Sequence, residues 1–130
     1  MRTMKFFVMA MMATGLAVGL GVFGAVEDAK PKYDIEEIME KAHKAPKGKL
    51  SLYQQVAKGK ASKEQQKQLL EYYEELAKNK PGKGELKDWQ RRTSALIKAA
   101  KDVSNGKAGA AQELTKAANC KGCHQAHRGE

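Results

Sequence analysis

Leu86, Trp89, Thr93, Leu96, Ile97, Ala100 and Val103 recur at three- and four-residue steps. A helix of about 3.6 residues per turn sets all of them on one face, so the pattern predicts a long amphipathic helix over residues 85–103. Such a stripe has to be buried, and this one is too long to be covered by a loop. It therefore demands other helices with matching faces. Asn105 and Gly106 close the stretch as helix C-termini usually close.

Three more segments meet that demand. Asp34 and Glu37 form a capping-box-like pair, followed by Ile35, Ile38, Met39 and Ala42 on one face, with an end before Pro46. Ser62 and Gln65 open another helix carrying Leu69, Leu70, Tyr72, Tyr73 and Leu76, which stops where Pro81 and Gly82 break the pattern. The last begins near Ala108 and is read as running unbroken through Leu114 and Ala118 into a cysteine motif. A short helical piece is expected around Leu50, Leu52, Tyr53 and Val56 in the longer first link. Ala, Leu, Lys, Glu and Gln dominate and β-branched runs are absent, which favours helix throughout. Short links favour antiparallel neighbours, so the expectation is all-α: an antiparallel four-helix bundle whose C-terminal helix carries the motif.

The first residues read differently. Arg2 and Lys5 precede 21 uncharged residues, 6–26, the order of an export signal. That run is also long enough to span a bilayer, which takes roughly 20 apolar residues. Residues 1–25 are thus an export signal or an N-terminal anchor, with cleavage favoured; a cut after Gly24 puts Val22 and Gly24 at the recognition positions. Residues 27–130 form the remaining domain, with 22 of the 24 basic residues, all 15 acidic ones and a net charge of +7. This surface suits an acidic partner or simply a solvated exterior, and the export segment argues against nucleic acid. Expected locations are the periplasm or another exported compartment, soluble or anchored to the outer face of the inner membrane.

The two cysteines of the chain sit in Cys120-Lys121-Gly122-Cys123-His124, the C-x-x-C-H pattern of covalent haem attachment. Each thiol can add to one vinyl group while His124 offers its imidazole to the iron. On a helix, residues 120, 123 and 124 share a face, so two tethers and one ligand converge. Small neighbours at Ala117, Ala118 and Gly122 let a flat macrocycle approach. Rival readings are weaker. A thioredoxin-like pair wants a βαβ context. Structural zinc wants four ligands, and beyond Cys120, Cys123, His124 and His127 only His43 is on hand. A disulfide across so short a loop would stabilise little.

A helical domain with this motif near its C-terminus resembles the cytochrome c-prime family. That resemblance implies a four-helix bundle with one covalent haem c on the last helix, frequent homodimers, and electron transfer to redox partner proteins. Residues 34–40, Asp-Ile-Glu-Glu-Ile-Met-Glu, are similar to the first helix of the low-spin members. The closing His124-Gln125-Ala126-His127-Arg128 is similar to the end of the soluble four-helix cytochrome b. The resemblance implies that Met39 completes a His/Met iron with His124, and that Arg128 approaches a haem propionate. His/Met ligation raises the reduction potential.

Alternatives stay open at the sixth position. Met39 on an apolar stripe also suits plain core filling. His43, one turn beyond Met39, can replace it or sit exposed near the helix end. An open position, as in typical c-prime members, would make the protein gas-binding or gas-sensing. Trp89, Tyr72 and Tyr73 are candidates for packing on the porphyrin, and His127 is read as solvated. No constellation of acid, base and nucleophile suggests an enzyme; the reading is a monohaem electron carrier.

Overall fold

The computed structural model describes residues 30–129, and the expected export segment of residues 1–25 lies outside them. Among the described residues every regular element is helical, and about four main helices pack together. In chain order these are α1 (Ile35–Ile38), which continues as a π-helical turn (Met39–His43), α2 (Leu52–Ala57), α3 (Lys63–Lys78), α4 (Leu86–Ser104), α5 (Ala110–Ala117) and α6 (Cys120–His127). No described helix is long and apolar enough to cross a membrane.

Local chemistry explains most boundaries. The Asp34 carboxylate accepts from the Glu37 backbone N–H at 2.8 Å and caps α1. Ser51 with Gln54, and Ser62 with Gln65, form complete capping boxes at the starts of α2 and α3. Beyond α4, Gly106 takes a positive φ of 71°, a conformation cheap only for glycine. The first helix changes character midway, where the Lys44 N–H bonds the Met39 carbonyl at 3.1 Å in a five-residue loop. Such π turns are frequent at functional sites.

Ile38, Leu69, Tyr73, Leu76, Trp89, Leu96 and Leu114 form the core, with Ala42, Ala99 and Ala100 letting helices approach. The broadest contacts run between α3 and α4 and between α4 and α5, while α2 bridges the π turn, α3 and α5. The stripe read on α4 is buried at Trp89, Thr93, Leu96 and Ala100. Its first member departs from that reading: Leu86 is 50% exposed, because the first residue of the helix lies beyond the edge of the core. Upstream of α1, the Lys32 N–H donates to the Glu75 carboxylate at 2.6 Å and the Asn79 amide donates to the Tyr33 carbonyl at 2.9 Å. These bonds pin the incoming chain to α3.

The expected continuous last helix is two helices. Ala118, with φ −81° and ψ 53°, leaves helical geometry, and Asn119 starts a new helix by accepting the Gly122 N–H at 3.0 Å. Asparagine competes for backbone hydrogen bonds and favours caps over helix interiors, which a stripe-based reading misses. The same bond explains Gly122, where a Cβ would lie 2.6 Å from the Asn119 amide nitrogen.

Candidate functional site

The short α6 presents the motif beside a cavity of about 550 Å³. One side of that cavity comes from the first helix through Ile35, Glu36, Met39 and Lys44; Leu76 and Trp89 contribute from α3 and α4. From α6 and its exit come Cys123, His124, His127 and Arg128, with Gly82 and Gly129 nearby. Its size falls within the range of roughly 300–1,000 Å³ typical of ligand pockets.

The structure thus brings Met39, Cys123, His124 and Arg128 around one space. Met39 is half-buried, while His124 and Arg128 are exposed. Cys120 and Cys123 are both free thiols. Cys120 is exposed, its Sγ 3.4 Å from the Ala118 carbonyl. Cys123 is half-buried, and burial pushes its thiol above the usual range.

His43 is near enough to His124 to feel its charge, yet it does not join Met39 at the cavity. It lies outside the lining of the cavity, with Nε2 3.3 Å from the Tyr73 hydroxyl and its ring 5.1 Å from that of Tyr53. Burial, with a smaller contribution from charge on His124, lowers its pKa to about 4. Of the aromatics considered, Trp89 lines the cavity, whereas Tyr72 packs edge-on against Tyr33 and Tyr73 pairs with His43.

His127 corrects the sequence reading most clearly. It is 4% exposed rather than solvated. Its Nε2 lies 2.8 Å from Asp88 Oδ2 and its Nδ1 3.1 Å from the Lys83 carbonyl. Both ring nitrogens therefore face oxygen atoms that can accept a hydrogen bond. Its edge-on contact with Trp89, at 5.4 Å between centroids, completes the enclosure. Asp88 also accepts from Arg92 Nε at 2.7 Å and from Arg91. Arg92 first, then Arg91 and His127, hold the Asp88 carboxyl well below the usual carboxylate range. His127 follows Cys123 of the motif by four residues, one turn along the same face, but nothing local in the sequence marks the partners it meets. Gly82, read only as a helix breaker, carried no signal for its close approach to the end of α6.

The donor set fits a covalently tethered haem: two free thiols and an imidazole sit on one short helix, and Cys123 and His124 line a mostly apolar cavity with Met39, while Cys120 lies outside that lining. Among the described residues no three His, Cys, Asp or Glu side chains are grouped to hold a metal ion by themselves. Compared with known proteins, the chain matches no family model, no curated protein and no solved structure.

Proposed function

We propose that the protein is an exported monohaem c-type cytochrome that carries single electrons, built as an antiparallel bundle with the haem-bearing helix last. The observation that carries this reading is the cavity lined on one side by Met39 and on the other by Cys123 and His124. Cys120 and Cys123 would supply the thioether links and His124 the axial imidazole. Met39 is favoured as the second axial ligand over His43 because it lines the cavity, whereas the Nε2 of His43 is engaged by Tyr73. When bound, the haem iron supplies one-electron chemistry.

The chain's own residues have plain roles in this scheme. Leu76, Trp89 and Ile35 give an apolar lining that excludes water and favours the less charged oxidation state. Arg128 and Lys44 place positive charge at the cavity wall, where propionates would be neutralised. The basic exterior suits an acidic redox partner, since charge complementarity speeds encounter more than it tightens binding.

The test is to produce the full chain in a host with c-type maturation. Haem should stay on the polypeptide after denaturation. The native spectrum should be low-spin and unchanged by carbon monoxide in the reduced state. Haem lost on denaturation defeats the proposal. Covalent haem with a high-spin spectrum that shifts with carbon monoxide replaces the electron carrier with the gas-binding reading.

A further inference from the structure

The end of α6 is fastened to a part of the chain some forty residues earlier, and the fastening is built with tolerances that leave no slack. His127 is almost wholly buried and spends both ring nitrogens on groups before or within α4: the Lys83 carbonyl and the Asp88 carboxylate. Asp88 is itself braced by Arg91 and Arg92 on the turns above it. The loop in front of α4 closes on α6 at two glycines. A Cβ at Gly84 would stand 2.4 Å from the Ala126 carbonyl oxygen and 2.8 Å from His127 Nδ1. A Cβ at Gly82 would stand 2.9 Å from the Gly129 nitrogen. Gly84 also has a φ of 84°, which other residues rarely adopt.

Helix α6 needs such a fastening. It has eight residues, begins at a break in the chain, and is too short to hold its orientation unaided. Its other polar side chains, Lys121, His124 and Gln125, are exposed, and so is Arg128 just beyond it. Rotation of α6 by a fraction of a turn would swing His124 away from the cavity wall. His127 lies three residues after His124, on an adjoining face, so fixing the rotation of one fixes the direction of the other.

We infer that His127, Asp88 and the Lys83–Gly84 backbone form a latch that sets the rotation of α6, making His127 and Asp88 positioning residues for His124. The inference rests on the haem reading above. Groups that orient a metal-bound histidine are worth about 10–100-fold when removed, even without touching the metal. The latch is mechanical: it would hold the part of α6 that carries His124 at the cavity that Met39 also lines.

The experiment compares the haem-loaded wild type with His127→Ala, with Gly84→Ala, and with Leu69→Ala as a control. Leu69 is fully buried but stands seven residues before the cavity-lining Leu76. Gly84→Ala keeps every ligand and every polar side chain and acts on the loop alone, through the clash with α6 and the strain of a positive φ. In both latch variants the equilibrium between occupied and open sixth position should move about tenfold toward open, read as carbon monoxide binding by the reduced protein. His127→Gln, which keeps one donor for Asp88, should recover part of that shift. The Leu69→Ala protein should melt earlier with the wild-type spectrum. Where His127→Ala does not accumulate as folded protein, Asp88→Asn carries the same comparison. Covalent haem in the wild type with latch variants spectrally identical to it overturns the latch alone. An equal shift in Leu69→Ala also overturns it, because general loosening would then suffice. Wild type without covalent haem overturns the haem reading and the latch's stated role together.

Discussion

The Tyr73 hydroxyl and Nε2 of His43 share a hydrogen bond of 3.3 Å deep in the interface between the first helix and α3. Burial raises the pKa of Tyr73, so its hydroxyl stays protonated and available as a donor. Burial also keeps His43 neutral near pH 7. Neutral imidazole is what a metal would need, yet here its Nε2 already has a partner, and the ring is flanked by Tyr53 and Tyr73 at 5.1 and 5.8 Å. Met39, four residues earlier, has no such engagement and faces the cavity.

This contrast predicts different outcomes for two substitutions in the haem-loaded protein. Met39→Ala should convert a low-spin spectrum to one that responds to carbon monoxide. His43→Ala should leave the spectrum near that of the wild type while lowering thermal stability. Absorption spectra of the two variants, oxidised and reduced, decide the matter. The reverse pattern would make His43 the ligand.

His43 also gives a pH dependence to the haem-free chain. Its pKa falls from an ordinary 6.5 to about 4 on folding, so the unfolded chain binds the extra proton first. Stability from this group is fully present above pH 6.5, declines as pH falls through that value, and stops declining below about 4. Between pH 7 and pH 5 the loss should be roughly 2 kcal/mol. Urea unfolding at the two pH values measures it, and His43→Gln should flatten the difference. A wild-type chain equally stable at both would show that His43 is not buried as described.

Much of this architecture could be read in the residues. The α4 stripe and the caps at Asp34 and Ser62 are local patterns whose physics is fixed within a few residues. The break at Asn119 was hidden because Ala-rich sequence on both sides continues a helical pattern, and a capping asparagine looks like an interior one. The π turn from Met39 to His43 had no sequence signature; it is settled by what packs against it. Nor was the burial of His127 evident, since its partners, Lys83 and Asp88, lie some forty residues away and only the tertiary fold brings them together.

Leu69 offers a measure of how strongly the core holds the frame. It is fully buried on α3, with Tyr72, Tyr73 and Leu76 continuing the same face. Leu69→Ala should cost about 2–5 kcal/mol through lost burial and an unfilled cavity. For a domain of this size each kcal/mol lowers Tm by about 4–8 °C, which a thermal melt will resolve. A change below about 1 kcal/mol would mean the site collapses around the missing side chain.

The two thiols of the motif should be chemically unequal before any cofactor is attached. Cys120 is exposed on the first residue of α6, whereas Cys123 is half-buried with its thiol pushed up by the loss of solvent. The thiolate is the reactive species, so both lower access and a smaller thiolate fraction slow Cys123. In the reduced, haem-free chain a small alkylating reagent should therefore label Cys120 before Cys123. Timed quenching and peptide mass spectrometry give the two rates separately. In denaturant the rates should converge, because the difference belongs to the fold and not to the neighbouring residues. Equal rates in the native chain would place Cys123 outside the half-buried wall of the cavity. A faster Cys120 would mean that the thiol at the cavity wall is the one the fold protects.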